Sequence, residues 1–163
     1  MFVHRSTAEK IGYGAIKYFD LSRNPTSNYI FSYDKMLDTR GNTGVYLMFA
    51  YARLKSIMGK AGVDIEALKA ANTEIILEHV CERALAFELL RFSDVMVDVL
   101  DSLCPNKICE YLYSLSLCAT SFVTECRVIG SDEMNSRLVM CSAVVDVMAS
   151  CFKLLAIDAP EKV

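Results

Sequence analysis

Cationic and aromatic side chains are interleaved over residues 46–60: Tyr46, Phe49, Tyr51, Arg53, Lys55 and Lys60. Guanidinium and ammonium groups hold phosphates, and aromatic faces stack on unpaired bases, so the combination suits RNA. A second group, Tyr111, Tyr113 and Arg127, lies further along the chain. Taken by residue type alone, each of these aromatics reads first as packing in a core or in a groove between helices, with RNA stacking as the alternative.

Catalytic chemistry is harder to find. There is no nucleophile elbow, P-loop, HExxH or dinucleotide fingerprint. Gly12-Tyr13-Gly14 lacks the third glycine of a phosphate loop and sits on a helical pattern, so it reads as a close-packing site. His79 falls on an apolar pattern and reads as a core histidine rather than a base. Asp98 and Asp101 read as carboxylates on the solvent face of a helix. Seven cysteines (81, 104, 109, 118, 126, 141 and 151) include no C-x-x-C pair and are joined by only two histidines, which argues against a zinc site. Most fall in apolar helical patterns and read as reduced thiols acting as small hydrophobes, which suits a reducing cytosol. The expectation is therefore a cytoplasmic protein with no catalytic residue, no metal and no membrane partner. No apolar run reaches the roughly 18 residues of a membrane span, and the start, Met1-Phe2-Val3-His4-Arg5-Ser6, has no signal core.

The 163 residues carry a net charge of −3, but unevenly. Residues 1–60 hold nine Lys/Arg and four Asp/Glu, whereas residues 61–163 hold eight and sixteen. A polyanion is steered toward the first third.

The elements that must position these groups are helical. With 53% hydrophobic residues, three Pro and seven Gly, the chain has a real core and few turns. Residues 7–19 predict a short helix with Ile11, Ala15 and Tyr18 on one face. Arg23-Asn24-Pro25 stops it, Tyr29–Tyr33 is aromatic and β-branched and predicts an extended piece, and residues 38–44 predict a loop in which Thr43 caps the next helix. From Gly44 onward the spacing predicts helices over 45–59, from Asp64 to about His79, over 82–92, from a Ser93-Asp94 cap to Leu103, from Pro105 past Phe122, and over 132–156. The fold class expected is all-α: an up-and-down helical bundle over 44–163, preceded by a short, partly extended N-terminal appendage.

Three stretches of the chain resemble the C-terminal part of arginyl-tRNA synthetase, a class I aminoacyl-tRNA synthetase. They are Gly12-Tyr13-Gly14-Ala15-Ile16-Lys17-Tyr18; Asn28–Asp38 running into Arg40-Gly41-Asn42-Thr43 and Tyr51-Ala52-Arg53-Leu54; and Cys109–Tyr113 with Cys126-Arg127-Val128, Ser136-Arg137-Leu138 and Ala159-Pro160-Glu161-Lys162. The resemblance implies that residues 1–43 are a remnant of the catalytic domain and its stem, and that residues 44–163 form the helical DALR domain, which holds the anticodon loop of the tRNA for arginine. The family's HIGH-like and KMSK-like signatures are absent from these residues. The resemblance thus implies a fragment that relies on a missing catalytic domain and binds neither ATP nor arginine, the cofactor and substrate of the full-length parent. RNA, not DNA, is the partner it implies.

Carried over by position, the resemblance makes Thr39, Arg40, Gly41, Asn42, Thr43 and Gly44 a tRNA-contacting junction loop. It makes Tyr51, Arg53 and Lys55 the RNA-facing residues of the first DALR helix, and Val123, Arg127 and Val163 further contacts. Val123 stands where the family has a stacking aromatic, and Val163 where it ends in Met; both departures weaken anticodon reading. Two other readings of the same helices are a free-standing, non-catalytic DALR-type adaptor and a helical protein-interaction module.

Overall fold

The computed structural model describes residues 2–160, with side chains from residue 5 onward. Eight helices occur among them: α1 (Phe2–Leu21), α2 (Tyr33–Met36), α3 (Gly44–Ala61), α4 (Ile65–Ala70), α5 (Val80–Leu90), α6 (Phe92–Ser102), α7 (Asn106–Glu125) and α8 (Met134–Leu154). No strand occurs among the described residues, and six helices follow residue 43. The all-α bundle read from the sequence is the architecture found.

Helix α7 is the axis of the bundle and packs on α1, α3, α5, α6 and α8. Its Ile108, Leu112, Leu115, Ala119 and Phe122 repeat at helical spacing and are all buried. They meet Leu47, Met48 and Leu54 of α3, Leu85 of α5, and Leu138, Cys141, Val145, Met148 and Phe152 of α8 in one core. Burial of an aliphatic or aromatic side chain contributes about 1.5–3 kcal/mol each, so this core, not helix propensity, supplies the stability.

The helix directions follow from a few contacts. Tyr51 of α3 meets Phe152 of α8 edge-on, with ring centroids 5.7 Å apart. Earlier on α3, Met48 lies beside Gly14, as does Ile157 just beyond α8. As α3 ascends, α8 descends. Helices α7 and α8 are joined by a short turn at which Arg137 reaches the Arg127 carbonyl, so they too are antiparallel. Helices α3 and α7 therefore run in the same direction.

Helix α1 approaches α3 closely because Gly44 has no side chain. A Cβ there would lie 2.9 Å from Tyr18 Cβ and 3.2 Å from the Ala15 Cα. Gly14 plays the same part toward Met48 and Ile157, as its reading as a close-packing site requires, whereas Gly12 has nothing within 4 Å.

Several local expectations are corrected. Helix α1 begins at Phe2, with Thr7 inside it, because no residue between them breaks a helix. The helix capped by Asp64 ends at Ala70 instead of reaching His79. Asn72 takes a left-handed φ of 49°, and Thr73 returns both its N–H and its hydroxyl to the Leu68 carbonyl. His79 is consequently no core residue: it is the exposed N-cap of α5, its Nδ1 accepting from the Cys81 N–H. Helix α6 starts at Phe92 without a side-chain cap, following α5 through a bend at Arg91 rather than a Ser93-Asp94 cap. Between α1 and α2, residues 28–32 pair with no strand, and Ser32 caps the short α2.

Candidate RNA-binding site

Helix α3 carries Tyr51, Arg53 and Lys55, three of the residues expected to face RNA, and its packing divides them. Successive helical residues turn by about 100°, so positions i and i+2 point to opposed sides. Tyr51 is only 8% exposed, with its ring on Phe152 in the core. Lys55, one turn on, lies over that ring with Nζ 5.6 Å from the centroid. The Tyr51 ring therefore has no open face for a base. On the opposed side, Phe49, Arg53, Ser56 and Lys60 form an exposed stripe at spacings of 4, 3 and 4. Phe49 is 43% exposed. Arg53 and Lys60 hold no hydrogen bond or ion pair among the described residues.

This stripe adjoins α7. Tyr46 packs edge-on against Tyr113, with centroids 6.0 Å apart, and its hydroxyl lies 3.2 Å from the Thr120 hydroxyl. Arg53 lies two turns beyond Tyr46, about 10 Å along the axis on nearly the same side. Val123 lies one turn beyond Thr120, and the helix ends at Glu125. Because α3 and α7 run the same way, Arg53, Val123 and Arg127 all lie toward one end of the pair. Val123 is half-buried against the core. Tyr111 is buried, donating to the Glu88 carbonyl at 3.1 Å and packing on Phe92.

Arg127 follows the C-cap of α7 and is exposed. Its Nε donates to the Ile129 carbonyl at 3.0 Å. Gly130, at φ +75°, lies beneath its guanidinium. Val163 lies outside the described residues.

The junction loop is tied at both ends. Thr43 caps α3, accepting from the Tyr46 N–H at 3.1 Å and donating to the Asp38 carbonyl at 2.6 Å. Asp38 accepts from the Arg40 N–H at 2.9 Å and from its Nε at 3.4 Å. Gly41 has φ +74°. Asn42 meets the Tyr18 hydroxyl. Thr39, Arg40, Gly41 and Asn42 are exposed, while Thr43 and Gly44 are buried and structural.

One arrangement beside Arg127 has no local signal in the sequence. Glu82 is fully buried, its carboxylate 2.8 Å from Arg137 Nε and accepting the His79 N–H at 2.8 Å. Burial alone raises its pKa, but the His79 N–H and the Arg137 guanidinium outweigh it and hold the carboxyl below its usual range.

Residues 47–163 match the family model described as the DALR anticodon binding domain. The chain belongs to the DALR anticodon binding domain family. It is 48% identical over 157 residues to the chloroplastic/mitochondrial arginine–tRNA ligase of Arabidopsis thaliana, covering 96% of this chain and 24% of that protein. It is 39% identical to the cytoplasmic arginine–tRNA ligase of Bos taurus, over 97% of this chain and 26% of that one. Among solved structures, arginyl-tRNA synthetase of Plasmodium falciparum superposes with a TM-score of 0.88 at 35% identity, covering 95% of this chain and 27% of that chain. The Thermus thermophilus enzyme gives 0.84 at 26% identity, over 96% and 27%. This DALR chain therefore spans about a quarter of the length of the relatives it matches, and its resemblance to arginyl-tRNA synthetase is borne out. Among the described residues no helix is long and apolar enough to cross a membrane, and no group of three or more His, Cys, Asp or Glu could hold a metal ion.

Proposed function

We propose that this DALR bundle holds the anticodon loop of the tRNA for arginine, as one part of a ligase that joins arginine to that tRNA at the expense of ATP. The match of residues 47–163 to an anticodon binding domain carries this reading. In it, residues 1–43 lead from a catalytic domain, and the chemistry of ester formation belongs to that domain.

Within the bundle, the RNA face we favour is the outer stripe of α3 with the end of α7. Arg53, Lys60 and Arg127 offer cations to phosphates, and Phe49 offers a ring to an unpaired base. Tyr51 and Lys55 act behind this face, through packing. Val123 supplies an apolar wall without a stacking ring. The junction loop reaches RNA through Thr39, Arg40, Gly41 and Asn42, with Thr43 and Gly44 holding it in place.

Filter binding of the full chain to a transcript of arginine tRNA, titrated with salt, tests this. The expected result is saturable retention, with the logarithm of the affinity falling linearly with log salt. Loss of each phosphate contact, by Arg53→Ala or Lys60→Ala, reduces the slope by about 0.7–0.9. Phe49→Ala costs about 1–3 kcal/mol, and Lys55→Ala leaves the slope nearly unchanged. Retention that is absent or insensitive to salt would overturn the reading in favour of a protein-interaction module.

A further inference from the structure

Arg137, near the start of α8, lies in the seam between α5 and the turn that joins α7 to α8. Its side chain is 13% exposed and faces the fully buried Glu82. The guanidinium uses its fork in two directions. Nε donates to Glu82 Oε1 at 2.8 Å, while Nη1 donates to the Arg127 carbonyl at 2.9 Å and lies 3.1 Å from Glu133 Oε2. Glu82 is itself anchored, because its other oxygen accepts the His79 N–H in the capping box of α5. The backbone at Arg127 is thus pinned from inside the protein by a charged pair whose members lie on two other helices.

The outer side of the same turn is closed by Arg127 itself. Its Nε donates to the Ile129 carbonyl at 3.0 Å, and a Cβ at Gly130 would lie 3.4 Å from its Nη2. Its Nη1 and Nη2 hold no hydrogen bond or ion pair among the described residues. One edge of the guanidinium is held and the other is open, which is the geometry in which an arginine takes a phosphate by two parallel bonds.

We propose that Arg137 is a positioning residue for RNA binding: by clamping the Arg127 carbonyl from the buried side, it fixes the turn Arg127–Gly130 and aims the open edge of the Arg127 guanidinium at the nucleic acid. This rests on the reading that Arg127 meets RNA. A lysine at 137 keeps the charge opposite Glu82 but cannot hold Glu82 and the Arg127 carbonyl through one planar fork.

A double-mutant cycle on affinity for the arginine tRNA transcript, with the full chain and a thermal melt of each variant, separates positioning from simple stability. Arg127→Ala is expected to weaken binding about tenfold, the scale of one hydrogen bond to a charged group. Arg137→Lys is expected to weaken it several-fold in the parent chain and not at all when Arg127 is already Ala. A merely structural role lowers the melting temperature and adds its loss to that of Arg127→Ala. Additive losses, or an unchanged affinity for Arg137→Lys, overturn the proposal while leaving the RNA reading intact. If Arg127→Ala alone binds normally, both the placement of RNA at Arg127 and the role of Arg137 fall. Should Arg137→Lys fail to fold, the paired replacement Glu82→Gln with Arg137→Met removes the clamp without leaving an unpaired buried charge, and the same cycle decides.

Discussion

The Tyr18 hydroxyl lies 2.5 Å from Asn42 Oδ1 and 2.9 Å from the Cys109 carbonyl, joining the junction loop to α1 and to the central helix. A phenol has one proton, which serves one of these acceptors at a time. Turning the Asn42 carboxamide over lets its NH2 donate to the phenol oxygen and satisfies all three groups. Tyr18→Phe removes the second donor to the Cys109 carbonyl, which α7 also bonds within the helix, and the partner of Asn42, and is expected to cost about 0.5–1.5 kcal/mol. Guanidinium unfolding measures this, and hydrogen exchange at Arg40–Thr43 should accelerate in parallel. An unchanged midpoint with unchanged exchange would count against the link.

Glycine substitutions should sort by what surrounds each site. Gly44→Ala drives a methyl into Tyr18 and the Ala15 backbone and is expected to destabilise by about 1–3 kcal/mol. Gly12→Ala and Gly59→Ala meet nothing within 4 Å inside helices, so each is expected to stabilise by about 0.5–1 kcal/mol. Thermal melts of the three variants test the contrast. Equal effects would mean that α1 does not rest on α3 through Gly44.

The buried carboxylate sets the acid limit. Glu82 titrates below its ordinary value in the folded chain, against a usual 4.5. A depressed carboxyl contributes stability that is present above the unfolded pKa and lost as pH falls through the folded one. Stability should therefore decline below about pH 4.5 in the parent chain. Glu82→Gln should flatten that decline while costing about 1–3 kcal/mol at neutral pH, because Arg137 loses its buried partner and keeps only Glu133 and the Arg127 carbonyl. A Glu82→Gln chain whose stability falls with acid as steeply as the parent's would remove Glu82 as the cause.

Thiol reactivity should follow burial. All seven cysteines are free; Cys109, Cys126, Cys141 and Cys151 are buried, and the other three are partly exposed. Burial pushes the Cys109, Cys141 and Cys151 thiols up to about 12 and raises Cys126 as well. These four stay protonated and should be silent toward a disulfide reagent at pH 8 until the chain unfolds. Fast reaction of more than three thiols in native buffer would show that the core opens locally.

Local periodicity and turn chemistry made much of this protein readable from its residues. Helices α3, α7 and α8, the Thr43 cap and the all-α class each depend on neighbours within a few turns. The same short range explains the errors. The apolar spacing of Ile75, Ile76 and His79 continues a helical pattern, and only Asn72 and Thr73 end the helix before them. The alternation of cations and aromatics along α3 was visible, but not which side of the helix α8 would cover. That choice buries Tyr51 beneath Lys55 and leaves Phe49, Arg53 and Lys60 outside. The Glu82–Arg137 pair spans 55 residues, so no spacing rule could announce it. Composition and periodicity determine that helices form and have an apolar side. Which charges share a surface, and which are buried against each other, is decided only when distant helices meet, because burial is a property of the assembled core and not of the chain segment.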